Sequence, residues 1–140
     1  MSECRAKQDM TIWASRGHGH LTMRSMYMEH FGADGGGRRF GVIPRFDYNY
    51  QPVSYVDGGA VAVGEGDLIR SHCIFNTEGR TRAVSGGEST SDEMCINYVF
   101  FYPLLPEVDW ESPGAVGSCI DWDAVVEGEL ERNPLLEDAD

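Results

Sequence analysis

Along this chain apolar residues fall in short runs separated by glycine-rich breaks, and no stretch before residue 107 sustains the 3.6-residue period of a helix. Runs rich in β-branched and aromatic residues and bounded by turn formers read as strands. The candidates are Met10–Ala14, Gly19–Glu29, Arg39–Ile43, Phe46–Tyr55, Val61–Val63, Asp67–Phe75, Thr81–Val84 and Met94–Tyr102. Between them lie turn signals at Ala33-Asp34-Gly35-Gly36-Gly37, Asp57-Gly58-Gly59, Gly64-Glu65-Gly66-Asp67, Asn76 to Gly79 and Gly86-Gly87. Each strand has one face to bury and needs a second sheet to bury it against. The pattern therefore predicts an all-β, antiparallel sandwich of jelly-roll type.

The pattern changes after Pro103. Residues 107 to 140 carry eleven Asp and Glu against the single base Arg132, and only the segment from Trp122 to Leu130 has the makings of a short helix. We expect a sandwich over residues 1–105 followed by an acidic tail or wrap-back segment over 106–140 that includes Cys119. A chain of 140 residues fits one domain with a real core, and 41% hydrophobic residues set it apart from disordered sequences. Its formal net charge of -12 argues against nucleic acid and anionic membrane as partners, since both repel an acidic surface. No apolar run is long enough for a membrane-spanning helix or a signal peptide.

Cys4, Cys73, Cys95 and Cys119 form an even set with no C-x-x-C pair, which argues against a zinc knuckle and permits two disulfides in any of three pairings. Disulfides imply an oxidising compartment. With no leader at the N-terminus, the chain is expected either to be intracellular with free thiols or to continue a longer protein.

Among candidate chemical groups, His18 and His20 flank a glycine, and positions i and i+2 on a strand share a face, so both imidazoles can converge on one ion. Arg16 shares that parity. By itself an H-x-H describes exposed surface histidines as well as a metal site. Met94, at the head of a strand-like run, reads by itself as a core residue. His30 and His72 stand alone and read as structural.

These residues lie within a larger pattern. HGHLT at 18 to 22, FDYNYQ at 46 to 51, GDLIRSHCIFNTEGRT at 66 to 81 and SDEMCINYVFFYP at 91 to 103 occur in an order that resembles the C-terminal domain of the copper type II ascorbate-dependent monooxygenases. The resemblance runs over roughly residues 4 to 119. It implies that His18, His20 and Met94 ligate one copper ion per chain, the copper that activates oxygen, with ascorbate as reductant of the complete enzyme. The donor set agrees chemically, because a thioether favours Cu(I), imidazole serves both oxidation states, and hard cations would be poorly held.

The resemblance further implies the disulfides Cys73–Cys95 and Cys4–Cys119, and residence in the secretory lumen or outside the cell. Arg16 and Tyr98 stand where the peptidylglycine-hydroxylating branch holds a substrate carboxylate, a task suited to the forked donors of arginine. Asn97, within the run CINYVFFYP, resembles the dopamine-hydroxylating branch instead, so a small molecule and a peptide both remain candidate substrates. The family also uses an electron-entry copper held by three histidines, two of them adjacent. This sequence has four histidines and no adjacent pair. The expectation is a catalytic half completed by a missing N-terminal copper domain and inactive alone. The alternative is a stand-alone, non-catalytic copper-binding or disulfide-linked structural sandwich.

Overall fold

The structure, a computed structural model, describes residues 2–103. It consists of antiparallel strands: β1 Ser2–Arg5, β2 Met10–His18, β3 Met23–Phe31, β4 Gly37–Ile43, β5 Ser54–Tyr55, β6 Val61–Val63, β7 Leu68–Phe75 and β8 Ile96–Tyr102. One sheet has the order β1-β7-β3-β4; the other has the order β5-β2-β6, with β8 paired to β2. The all-β prediction is met. Among the described residues no helix is long and apolar enough to cross a membrane.

Both sheets turn apolar residues toward a common core. Ile12, Val61 and Val63 from the β2 sheet pack in one cluster with Met28, Phe40 and Ile69 from the β3 sheet. Full burial of side chains of this size stabilises by about 1.5–3 kcal/mol each, so this cluster is the main source of the fold's stability. Methionine is prominent among the buried residues of β3. Met23, Met26 and Met28 are all buried on β3, although residue 23 is out of phase with 26 and 28. The register shift between Met23 and Ser25 restores the phase, because one extra residue flips every later side chain to the other face.

Strand β2 carries His18 and is the central strand of its sheet. On one edge it pairs with β6 through Met10–Ile12 and with β5 through Ala14 and Ser15; on the other it pairs with β8 as far as His18↔Ile96. Gly17 marks close contact between the sheets, since a Cβ there would lie 2.1 Å from Met26 Sδ and 2.7 Å from Ile43 Cδ1. The Cys73–Cys95 disulfide joins β7 of one sheet to the approach to β8 of the other.

Several strand boundaries differ from expectation. Strand β2 runs on to His18, and the next begins only at Met23, leaving His20 in the connection. Over 46–55 only Ser54–Tyr55 is a strand: Asp47 turns the chain by accepting from the Asn49 amide through its side chain and from the Tyr50 amide through its carbonyl. Residues 81–84 form no strand, and Thr81, Arg82 and Ala83 are exposed, so the segment has no apolar face to bury. Strand β1 is absent from the predicted set, because its sequence SECR has no apolar alternation and it forms by adding to the edge of β7. The tail, the 122–130 segment and Cys119, the expected partner of Cys4, lie outside the described residues.

Candidate metal centre

His18 ends β2 and His20 follows two residues later, where the chain turns back toward β3. Their rings lie edge to face with centroids 5.4 Å apart. Each ring has a committed nitrogen. His18 Nδ1 lies 2.7 Å from Gln51 Oε1, and the Gln51 amide nitrogen donates to the carbonyls of Gly19 and Tyr48. Those two bonds fix which end of the amide is oxygen, so His18 Nδ1 is the protonated nitrogen. His20 Nδ1 lies 3.2 Å from the Asp92 carbonyl, which can only accept, so it too carries the proton. Both Nε2 lone pairs are therefore free to bind a metal, because a hydrogen bond from one ring nitrogen sets the tautomer of a histidine ligand.

Met94 reaches this pair through the backbone. The loop from Asn76 to Cys95 returns the chain from β7 to β8, and a Cβ on Gly19 would lie 3.1 Å from the Met94 carbonyl oxygen. A Cβ there would crowd that carbonyl and meet Met23 Cε at 2.1 Å, so glycine between the two histidines eases the approach. The Glu93 carboxylate secures it. Oε1 accepts from the His20 amide at 2.5 Å and the Met94 amide at 3.0 Å; Oε2 accepts from the Thr22 amide at 2.8 Å and the Thr22 hydroxyl. Burial pushes the Glu93 carboxyl upward, but the bonds from Thr22, Met94 and His20 outweigh it and hold the group below the ordinary carboxylate range.

Other expected residues divide. Arg16 pairs with Tyr98 across the β2–β8 ladder, both are exposed, and the Tyr98 ring centroid lies 6.5 Å from that of His18. Asn97 pairs instead with Gly17, and its Nδ2 is buried with no hydrogen-bond partner among the described residues. His30 and His72 are engaged elsewhere, His30 with Asp67 at 2.7 Å and His72 with Glu29 at 2.9 Å. Among the described residues no three His, Cys, Asp or Glu side chains gather as a metal-holding group. Sequence reasoning misses Gln51 and Glu93. Gln51 closes the block FDYNYQ and Glu93 immediately precedes Met94, and that adjacency is the available signal.

Residues 2–115 match the profile described as copper type II ascorbate-dependent monooxygenase, C-terminal domain. The chain belongs to this family. It is similar to dopamine beta-hydroxylase of Rattus norvegicus, 37% identical over 100 residues that cover 69% of this chain and 16% of the relative. DBH-like monooxygenase protein 1 of Gallus gallus is 33% identical over 88 residues, covering 63% of this chain and 14% of that protein. Tyramine beta-hydroxylase of Caenorhabditis briggsae is 29% identical over 100 residues, 69% of this chain and 16% of its own length. The chain thus spans a small part of the curated relatives it matches. Family membership brings copper and ascorbate dependence for the full enzyme, and the Cys73–Cys95 disulfide expected from the resemblance is formed.

Proposed function

We propose that this chain is the catalytic copper-binding half of an ascorbate-dependent monooxygenase, which hydroxylates a C–H bond of a small-molecule or peptide substrate with O2. Its electrons would enter through a second copper domain, elsewhere in the same protein or on another chain. The observation that carries this reading is the pair of adjacent imidazoles whose Nδ1 atoms are both engaged, which leaves both Nε2 lone pairs available, with the Met94 backbone close to the glycine between the two histidines. One copper ion held by His18, His20 and Met94 would supply one-electron redox chemistry and an open coordination position for oxygen.

The chain's own residues do the rest. Gln51 and the Asp92 carbonyl keep the two imidazoles in the metal-binding tautomer. Arg16 and Tyr98, exposed beside His18, offer donors that orient an anionic or polar substrate group. Asn97, the third residue expected at the substrate, has a buried side-chain amide nitrogen with no hydrogen-bond partner among the described residues. The Cys73–Cys95 bridge supports residence in the secretory lumen or outside the cell, where such bonds persist.

Titration against a competing Cu(I) chelator tests the site. We expect one copper per chain, and Met94→Ala should lose Cu(I) affinity while retaining Cu(II) affinity, because the thioether is the soft donor. Equal affinity in the wild type and in a chain with both His18 and His20 changed to Ala would remove the basis for the site. Each hydroxylation consumes two electrons, one more than a single-copper site holds. The 140-residue chain, copper-loaded and given ascorbate and oxygen, should therefore form no product over many equivalents of phenethylamine-type or glycine-extended peptide substrates. Multiple turnovers would show another electron route.

A further inference from the structure

Regular strand pairing does not fix Met94. Strand β8 begins at Ile96, and the preceding loop carries one isolated bridge, Gly86 with Glu93. What sets the methionine relative to the histidines is therefore a short set of attachments: the disulfide at Cys95, the Asp92 carbonyl on His20 Nδ1, and the Glu93 carboxylate. Of these, the carboxylate alone touches the backbone of two expected ligand residues. A single oxygen, Oε1, receives both the His20 and the Met94 amides, while Oε2 holds Thr22, itself 2% exposed. Four donors on two oxygens leave the group little freedom to move.

We propose that Glu93 is the positioning residue that holds the Met94 thioether at the histidine pair, and that without its carboxylate the centre becomes a two-histidine site. The inference rests on the copper reading above. The carboxylate suits the task because both of its oxygens accept. Glutamine replaces one with an NH2 that cannot accept and turns its hydrogens toward backbone N–H groups. Aspartate is one methylene too short to span both loops. Loss of an outer-sphere partner of a metal ligand typically lowers affinity about 10- to 100-fold.

Three readouts test it on the intact 140-residue chain. In metal-free protein, hydrogen exchange at the His20, Thr22 and Met94 amides should be slow in the wild type and fast in Glu93→Gln; fast exchange of all three in the wild type would overturn the proposal without involving copper. In Cu(I)-loaded protein, X-ray absorption should show a sulfur shell in the wild type that Glu93→Gln loses, with imidazole scattering retained and Cu(I) affinity down about tenfold or more. The double variant Glu93→Gln with Met94→Ala should bind Cu(I) no more weakly than Met94→Ala alone, since both remove the same contact. Additive losses, or a sulfur shell intact in Glu93→Gln, would refute the role. Should Glu93→Gln fail to fold, Thr22→Val removes one of the four donors, and an unchanged sulfur shell together with unchanged amide exchange there would count as refutation. Failure of the copper reading looks different: the wild type itself would lack a sulfur shell while its three amides stayed protected.

Discussion

Replacing Cys73 and Cys95 together by serine should cost stability throughout the domain as well as at the metal centre. The bridge closes a loop with a sequence separation of 22 residues. On the chain-entropy account a loop of that size restricts the unfolded ensemble by ~3.4 kcal/mol at 25 °C. The native state adds a second effect. The loop enclosed by the bridge includes residues 76–94, whose other anchors among the described residues are chiefly hydrogen bonds at the His20–Thr22 turn. Freed from the bridge, that loop can open without unfolding the sheets. The assay is urea unfolding of metal-free protein, followed by tryptophan fluorescence. With a slope of about 1.5 kcal/mol per molar, the midpoint should fall by ~2 M. An unchanged midpoint, or alkylation of both cysteines in folded, air-exposed wild-type protein, would refute the reasoning.

Two further outcomes are expected. Gly19→Ala should lower the melting temperature and weaken Cu(I) binding: the new Cβ would lie 2.1 Å from Met23 Cε, on a side chain only 1% exposed, and 3.1 Å from the Met94 carbonyl, a clash of the overpacking kind that costs about 1–3 kcal/mol. Thermal melts and chelator titration check it, and wild-type values in both would discount the close approach. Asp67 is held below its ordinary value of 3.8 by its hydrogen bond with His30 and by the Gly64 amide. A carboxyl depressed in the folded state stabilises above its unfolded pKa and loses that contribution as pH falls through the folded one. Asp67→Asn should therefore be less stable than the wild type at pH 7, with the gap in urea midpoint closing below pH 3.8; a gap independent of pH would exclude the ionic contribution.

The fold class was legible because strands announce themselves locally. β2, β3, β7 and β8 each carry enough β-branched, aromatic or methionine residues to reveal a buried face. What stayed hidden was settled by partners. SECR becomes a strand because β7 offers an edge, and 46–55 becomes a turn because Asp47 captures two amides. At the site the division is similar. His18, His20 and Met94 stand out through the resemblance, since neither an H-x-H nor a lone methionine is specific. Glu93 and Gln51 escape because their partners are backbone groups and a ring far along the chain, 71 to 73 residues away for the Glu93 bonds to His20 and Thr22 and 33 for that of Gln51 to His18. In sequence alone, Glu93 beside Asp92 looks like a solvated acidic pair.

The two neighbours of Met94 divide the work of holding it. Alternation along an extended chain sends residues 93 and 95 to one side and 94 to the other. Both neighbours are in fact tied to the domain, Glu93 to the His20–Thr22 turn and Cys95 to β7. Their anchors differ in kind. The covalent one acts largely through the unfolded chain and so raises the stability of the whole domain, whereas the carboxylate acts only where its four donors lie. Losing the bridge should therefore shift global unfolding with partial damage to the metal centre. Losing the carboxylate should damage the centre with a smaller shift in unfolding. Comparing the two variants in one pair of assays separates a site that is merely carried by a stable sandwich from one that is held locally. The second description is favoured by the four hydrogen bonds converging on Glu93.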